Sequence, residues 1–336
     1  MKALVLFSGG LDSLLAMKII QKTGIELFAL NFVSPFCRCH RKDGCSAVAH
    51  LKALGIGYRL VSLSEEYLQI VAHPKFGRGS NMNPCLDCRI MMFKKAKDVM
   101  EDIGARFIIT GEVLGQRPMS QQRRQLELIE KEAGLSGLVL RPLSARVLPQ
   151  SLPEKEGWVS NEALQGLSGR MRSPQINMAR ELGLKDYPCP AGGCLLTDKN
   201  FSRRLNDLMR YGELTMPEVE LLKLGRHFRL NDKSKLVVGR NERENERLLS
   251  LVNDGDTYFV SNELPGPVGV IRKSQVTNHK LQVTSMERAA TIVAYYCDGD
   301  SRDFVILSRH CPKGKINIKA RPADKPQVEK LRVENS

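Results

Sequence analysis

A glycine-rich turn near the start of the chain constrains the fold more than any other feature. Residues 2–7 form a largely apolar run, and the hexapeptide Ser8-Gly9-Gly10-Leu11-Asp12-Ser13 follows it directly. Apolar residues then recur at helical spacing, at Leu11, Leu14, Leu15 and Ile19. A strand, a glycine turn and a helix in this order present backbone N–H groups at the positive end of a helix dipole, where phosphate groups bind.

Each residue type in this turn suits a nucleotide phosphate. Gly9 and Gly10 let the backbone approach a ligand closely, and the two serines, Ser8 and Ser13, add hydroxyl donors. Asp12 is informative because a carboxylate beside phosphates serves to bind Mg²⁺ or to orient a reacting group. A capped helix start would use the same residue types. The position after a first buried strand and the lack of a Walker A lysine favour an ATP site without phosphoryl transfer.

The rest of the N-terminal half alternates between strand and helix patterns. We predict strands at 25–32, 58–63 and 106–110, and helices at 46–54 and 89–103. This alternation predicts an α/β fold, with a parallel Rossmann-like sheet wrapped by helices. The regular repeat ends near residue 140, where Pro149, Pro153 and Gly157 follow as breakers.

The C-terminal part has a different pattern. Short β-like runs at 235–238, 256–260 and 268–271 precede a helix at 285–296, which indicates a smaller α+β domain. We therefore divide the chain into a domain at 1–200, a linker at 201–224 and a second domain at 225–336.

Cysteines supply the second chemical signal. In a reducing compartment they do not form disulfides, so their grouping indicates metal, cluster or sulfur chemistry. Cys85 and Cys88 stand three residues apart at the entrance to a helix, and Cys194 follows a glycine turn. Three thiolates suit a cubane iron–sulfur cluster with one iron open, whereas Zn²⁺ would require a fourth ligand such as Cys189. A persulfide-carrying redox pair and a plain buried cysteine stay open as alternatives.

The other cysteines carry weaker signals. A basic loop holds a group with enough donors for a second metal, but its spacing favours spare thiols, and this group consists of Cys37, Cys39, His40 and Cys45. Cys297 and Cys311 have no partner visible in the sequence.

Charge indicates the class of partner. The formal net charge is +14 and the pI is about 9.4, which favours a polyanion, with nucleic acid first. A basic surface that only keeps the protein soluble is the alternative. The segment 301–336 holds nine Lys or Arg against four Asp or Glu, so a nucleic-acid-facing end is expected there. No apolar stretch approaches the roughly 20 residues that cross a bilayer, so we expect a cytoplasmic protein without a membrane partner.

The hexapeptide at Ser8 to Ser13 resembles the signature of PP-loop ATP pyrophosphatases, of the adenine nucleotide alpha hydrolase-like fold. The resemblance implies an enzyme that uses ATP and Mg²⁺ to adenylate a carbonyl oxygen and release pyrophosphate. Thr110 and Gly111, after the 106–110 strand, occupy the place of a Thr-Gly pair near the nucleotide.

Together with the cysteines, residues 1–200 resemble ThiI-type tRNA 4-thiouridine synthetases, in particular short forms with a 4Fe-4S cluster. They also resemble tRNA 2-thiouridine thiolases. The resemblance implies tRNA sulfurtransferase activity, with Asp12, Cys85, Cys88 and Cys194 as catalytic residues and the three cysteines as cluster ligands. The chain begins at the ATP loop, so we expect neither the N-terminal RNA-binding region of full-length ThiI proteins nor a rhodanese domain. Sulfide or a persulfide carrier is then the expected sulfur donor.

Residues 225–311 resemble the RNA-binding region of NFACT proteins. The resemblance rests on Val238-Gly239-Arg240-Asn241 with Asn245, on Leu264-Pro265-Gly266-Pro267, and on Ala289-Ala290 followed by Ala294-Tyr295-Tyr296. It implies that this region binds tRNA. Arg117, Arg123 and Arg124 are further candidates for phosphate contacts, although a solvated basic helix face is the commoner role of such residues.

Two other functions use part of these features. A PP-loop ligase or amidase acting on a small carboxylate shares the loop but has no use for three cysteines. A non-catalytic RNA-binding factor would use only the C-terminal domain, and the intact Asp12 argues against it. A homodimer is compatible with the sequence.

Overall fold

The structure is a computed structural model, and it describes residues 1–37, 46–184, 193–262, 264–272, 279–298, 305–311 and 314–335. These residues form two compact units, Met1–Thr197 and Asp198–Ser336. Each unit has its own hydrophobic core. Cys39, His40, Cys45 and Cys189 lie outside the described residues.

The first unit alternates strands and helices, as predicted. Its strands are Lys2–Leu6 (β1), Glu26–Val33 (β2), Gly57–Ser62 (β3), Ile108–Thr110 (β4) and Val139–Leu140 (β5). Its helices are Leu11–Gln21 (α1), Ser46–Ala53 (α2), Glu65–Ala72 (α3), Cys85–Asp102 (α4), Arg123–Ala133 (α5), Leu152–Lys155 (α6) and Ser173–Glu181 (α7). Short 3-10 turns lie at Ala145–Val147, Asn161–Ala163 and Leu195–Thr197.

Within the described residues, the strands of this unit form one parallel sheet in the order β3-β2-β1-β4-β5. This is a Rossmann-like order, and the chain reverses direction across the sheet between β1 and β4. Ligands of such folds bind at this switch point, at the carboxyl ends of the strands. The predicted parallel α/β fold is therefore confirmed, and its switch point is the place to look for a site.

Helices cover both faces of the parallel sheet. Successive side chains of a strand point to opposite faces, so Val5 packs into one apolar cluster and Leu4 into the other. Both side chains are fully buried. Each such burial contributes about 1.5–3 kcal/mol to folding, and together they fix where β1 ends and the glycine turn begins.

The second unit opens with two helices, Lys199–Tyr211 (α8) and Met216–Leu222 (α9). The predicted linker at 201–224 is therefore helical, and it belongs to the second unit. Phe201, Leu205 and Leu208 recur along one face of α8 and are buried, so this segment packs as part of a core.

An antiparallel sheet forms the body of the second unit. Its strands are Arg226–Asn231 (β6), Ser234–Val238 (β7), Thr257–Ser261 (β8), Gly269–Ile271 (β9), Val305–Cys311 (β10) and Gly314–Ala320 (β11). Within the described part they pair in the order β11-β10-β8-β9-β7-β6. The helices are Glu242–Leu249 (α10), His279–Tyr295 (α11) and Lys325–Leu331 (α12). Among the described residues, no helix is long and apolar enough to span a bilayer.

Candidate functional site

The glycine turn sits at the switch point of the parallel sheet. Gly9 has a φ of +76°, a conformation that only glycine adopts readily. A Cβ on Gly9 would lie 2.8 Å from the Cβ of Ala47. The Ser13 hydroxyl donates to the Gly10 carbonyl at 2.8 Å, and the Gly10 N–H reaches the Ser8 hydroxyl at 3.4 Å. The turn is thus a compact cradle that leads into the N-terminus of α1.

Thr110 and Gly111 form the neighbouring wall, because β4 lies beside β1. A Cβ on Gly111 would lie 2.4 Å from the Ser13 nitrogen and 2.5 Å from the Asp12 carbonyl carbon. Only glycine permits this approach, so Gly111 supports the turn by backbone packing. The structure thus places Gly111 against Asp12 and Ser13.

Asp12 has one carboxylate oxygen paired and one without a partner. Its Oδ2 accepts a hydrogen bond from Gln116 Nε2 at 3.1 Å and lies 3.6 Å from Arg172 Nη2. Its Oδ1 is buried and has no hydrogen-bond partner among the described residues. A buried carboxylate oxygen without a partner is costly unless a ligand or cation completes it. Asp12 therefore fits the role of a Mg²⁺ ligand.

A buried ionic network follows directly after Thr110. Glu112 is 2% exposed, and its Oε2 lies 3.1 Å from Arg141 Nε while its Oε1 lies 3.8 Å from Arg89 Nε. Arg141 also pairs with Glu130. Sequence analysis missed this network because its members are far apart along the chain.

Two arginines connect the glycine turn to the cysteines. Burial lowers the pKa of Arg89, but Glu112 and the Cys85 and Cys88 thiolates outweigh it and hold that pKa above its ordinary value. Arg89 is therefore a firmly charged group beside the thiols.

Arg117 lies near Arg89, Cys85 and Asp12 rather than on a helix face. It is exposed to solvent, yet burial and then the nearby Arg89 lower the pKa of its guanidinium. Cys85 and Asp12 act on it in the opposite direction, so both are close to it. Arg117 forms no hydrogen bond or ion pair through its side chain with any residue that the structure describes. It remains cationic at neutral pH, as arginines do.

Arg123 and Arg124 differ from Arg117. Both are exposed at the start of α5, and Arg123 pairs with Glu127 one turn along the same helix. They belong to a solvated helix face.

The predicted cysteine pair occupies the first turn of α4. Cys85 is the first helical residue, and the Cys88 N–H donates to the Pro84 carbonyl at 2.9 Å. Burial raises the pKa of the Cys88 thiol, against the lowering effects of a hydrogen bond with Tyr67 and of Arg89. Tyr67 is 1% exposed, and burial followed by Cys88 and Cys194 raises its pKa well above the ordinary value.

Cys194 joins the pair from the far end of the first unit. Burial raises the pKa of its thiol to about 12, the Leu196 backbone lowers it, and Cys88, Cys37 and Cys85 raise it. The Cys194 thiol is therefore within electrostatic reach of Cys85 and Cys88, and an isolated β-bridge pairs it with Cys37, which sequence analysis had grouped with spare thiols.

The donor set consists of sulfur atoms beside positive charge, which suits an iron–sulfur cluster. Among the described residues, no three His, Cys, Asp or Glu side chains are placed to hold a metal ion. Zn²⁺ takes the same thiolate donors and requires four ligands.

The residues that carry the NFACT resemblance hold the second unit together. A Cβ on Gly239 would lie 2.1 Å from Asn245 Oδ1, and this oxygen accepts the Val268 N–H at 3.0 Å. The Asn241 side chain caps α10 by accepting the Glu244 N–H at 3.0 Å. These residues serve the fold.

Two family models match the chain. Residues 1–146 match the model described as thiamine biosynthesis protein (ThiI), and residues 225–332 match the one described as NFACT protein RNA binding domain. Both resemblances drawn from the sequence are confirmed over these residues.

Curated relatives match the N-terminal part. A protein named probable tRNA sulfurtransferase from Lysinibacillus sphaericus is 34% identical over 144 residues, which is 42% of this chain and 34% of that protein. One named tRNA-specific 2-thiouridylase MnmA, from Pelobacter propionicus, is 28% identical over 117 residues, 33% of each. The chain spans about a third of the length of these relatives.

A solved structure also aligns. It is described as the U34-tRNA thiolase NcsA from Methanococcus maripaludis with its 4Fe-4S cluster, at 20% identity and a TM-score of 0.34. The alignment covers 66% of this chain and 73% of that one. This TM-score is too low to assign a function.

Proposed function

We propose that the protein is an ATP-dependent tRNA sulfurtransferase that thiolates a uridine. The observation that carries this proposal is the link between the glycine turn and the cysteine helix. Arg89 lies 3.8 Å from Glu112, which follows Gly111, and Arg117 interacts electrostatically with both Asp12 and Cys85. This link supports placing the ATP loop and the thiols in one site, as activation of an oxygen followed by its replacement with sulfur requires.

The first half of the reaction uses the glycine turn. Backbone N–H groups of the turn would hold the ATP phosphates at the N-terminus of α1, and Asp12 would supply a carboxylate ligand for Mg²⁺. The uracil carbonyl oxygen attacks the α-phosphorus, a P–O bond to pyrophosphate breaks, and an O-adenylated uridine forms. Arg117 and Arg89 stabilise the negative charge that develops at the phosphate.

The second half replaces oxygen with sulfur. Hydrosulfide attacks the activated carbon, the C–O bond breaks, AMP leaves and the proton goes to solvent. A 4Fe-4S cluster held by Cys85, Cys88 and Cys194 would supply an iron that presents the sulfide. Tyr67 and Arg89 both interact with Cys88. Arg89 gives this end of the site a positive charge. Zn²⁺ on the same thiols is the alternative.

The product is most consistent with 4-thiouridine, because the ThiI match covers the ATP loop and the cysteine pair. The 2-thiouridine product is the second candidate, and the similarity to a protein named 2-thiouridylase favours it. Mass spectrometry of nucleosides from tRNA treated in vitro separates the two products by retention and fragmentation.

The second unit is the proposed tRNA-binding part. Its match to an RNA-binding domain and the chain's charge of +14 support this role. Binding to phosphates releases counterions, so tRNA affinity is expected to fall steeply as salt concentration rises.

Anaerobic purification followed by iron and sulfide analysis tests the cluster, and thiolation of tRNA with ATP and inorganic sulfide tests the activity. We expect pyrophosphate release that depends on tRNA. Zinc without iron would reject the cluster. Release of pyrophosphate with a small carboxylate in place of tRNA would support a ligase, and no release with any substrate would support a non-catalytic RNA-binding factor.

A further inference from the structure

Cys37 lies directly opposite Cys194. The two residues form an isolated antiparallel β-bridge, and the Leu195 N–H donates to the Phe36 carbonyl at 2.8 Å beside it. Directly opposed residues of an antiparallel pair have Cα atoms about 4.5–5.5 Å apart, and their side chains point to the same face. The Cys37 and Cys194 thiols therefore share one side of this bridge.

The same segment is fixed to the cysteine pair through two buried rings. Phe36 is 0% exposed and Tyr67 is 1% exposed, and their rings meet edge to face at 5.7 Å. Tyr67 in turn interacts with the Cys88 thiol and lowers its pKa. Cys37 is thus held near the pair by packing, in addition to its bridge with Cys194.

Its place in the sheet explains this position. Cys37 follows β2, whose carboxyl end lies beside that of β1 in the parallel sheet, and β4 lies on the other side of β1. The Cys37 N–H donates to the Ser34 carbonyl at 3.1 Å, which turns the chain at this edge. Cys37 is half-buried and forms no disulfide.

We infer that Cys37 is the fourth thiol of the cysteine site and closes the cluster at the iron that Cys85, Cys88 and Cys194 leave open. This inference rests on the proposed cluster and deepens it. With a cluster bound, hydrogen sulfide would displace Cys37. The Cys37 thiolate would leave as the neutral thiol with the proton of hydrogen sulfide, and no electron would be transferred. Cys37 thereby protects the open position until the sulfur substrate arrives.

The test compares the reconstituted wild-type protein with Cys37→Ala and with Cys297→Ala, a half-buried cysteine of the second unit that serves as the matched control. Each protein is oxidised mildly, and its iron content and EPR spectrum are measured. We expect wild type and Cys297→Ala to keep their iron. Cys37→Ala is expected to lose one iron in four and to develop a 3Fe-4S signal, because an iron without a protein ligand dissociates first.

Alkylation of the unmutated protein supplies a second measurement that does not depend on the variant folding. With the cluster loaded, Cys37 is expected to resist iodoacetamide, and added sulfide is expected to expose it, as mapped by peptide mass spectrometry. The inference is overturned if wild type and Cys37→Ala lose iron equally, or if Cys37 is labelled to the same extent with and without sulfide. Either result leaves the proposed cluster intact. Wild-type protein that binds no iron overturns both.

Discussion

Glycines mark both units of the molecule, but they serve different purposes. In the first unit, Gly111 brings the end of β4 against the turn that holds Asp12 and Ser13. In the second unit, Gly239 makes room for Asn245, whose amide oxygen accepts the Val268 N–H. One close approach builds a candidate ATP site, and the other locks a helix onto a sheet.

The two resemblances therefore differ in what they imply about function. The residues shared with PP-loop enzymes are themselves the candidate chemical groups, so similarity there bears directly on activity. The residues shared with NFACT proteins hold α10 and the sheet in place. If the second unit binds RNA as proposed, the contacts are expected from other, exposed residues.

Asp12→Asn tests the catalytic role of the first unit and is expected to have the largest effect. The amide keeps the shape but cannot bind Mg²⁺ as a carboxylate does, so we expect tRNA-dependent pyrophosphate release to fall roughly 10²–10³-fold. Binding of tRNA by the second unit is expected to stay unchanged. Asp98→Asn, an exposed carboxylate on α4, is the control. Activity within a few fold of wild type would show that the turn has no catalytic role.

A pair of glycine substitutions tests whether the two glycines have separate roles. An alanine Cβ would lie 2.4 Å from the Ser13 nitrogen in Gly111→Ala and 2.1 Å from Asn245 Oδ1 in Gly239→Ala. Overpacking of this kind costs about 1–3 kcal/mol in either unit. Only Gly111→Ala is expected to weaken ATP binding, as measured by calorimetry.

Gly166→Ala is the control for both, because its nearest neighbour would be 3.5 Å away. If Gly239→Ala weakened ATP binding as much as Gly111→Ala does, the separation of roles would be lost.

The sequence predicted the parallel fold well because alternating strands and helices are local patterns, and it located the turn at Ser8 to Ser13 for the same reason. It did not supply the order of the strands. That order places the end of β2 beside β1, and the chain after β2 then pairs Cys37 with Cys194 in an isolated bridge. The Arg89, Glu112 and Arg141 network escaped for a similar reason, since charges distant in sequence meet only after folding.

The helix α8 was a different kind of omission. Phe201, Leu205 and Leu208 recur at helical spacing, so the signal was present in the segment that we had assigned as a linker. A polar composition hid it, because Arg and Asn fill the positions between the buried residues.

Arg117→Gln tests whether the ATP turn and the thiols act as one site. A hydrogen bond to a charged group is worth about 1.5–3 kcal/mol, so we expect a roughly tenfold to hundredfold loss in kcat for thiolation. Thermal unfolding is expected to stay near that of wild type. The matched control, Arg123→Gln, removes an exposed arginine of α5. An equal loss of kcat in both variants would show that Arg117 contributes only positive charge and makes no specific contact in the site.

The smallest expected effect concerns pH and the second unit alone. His227 is fully buried in β6, its Nε2 lies 2.8 Å from the Leu224 carbonyl, and burial, then Lys235 and Arg204, lower its pKa well below the ordinary 6.5. Below about pH 6.5, His227 therefore binds a proton in the unfolded chain but not in the folded unit. The second unit loses stability as pH falls below that value, by up to about 1.4 kcal/mol per pH unit.

Hydrogen exchange of second-unit amides at about pH 7.5 and about pH 5 measures this loss, after correction for intrinsic exchange rates. His227→Gln is expected to reduce the difference between the two conditions. The sole tryptophan, Trp158, lies in the first unit, so its fluorescence follows that unit separately and should respond to pH identically in wild type and variant. A variant whose second unit keeps the full wild-type pH dependence would show that another group titrates. A variant that instead changed the Trp158 signal would show that the two units are coupled, whereas we expect each unit to respond separately.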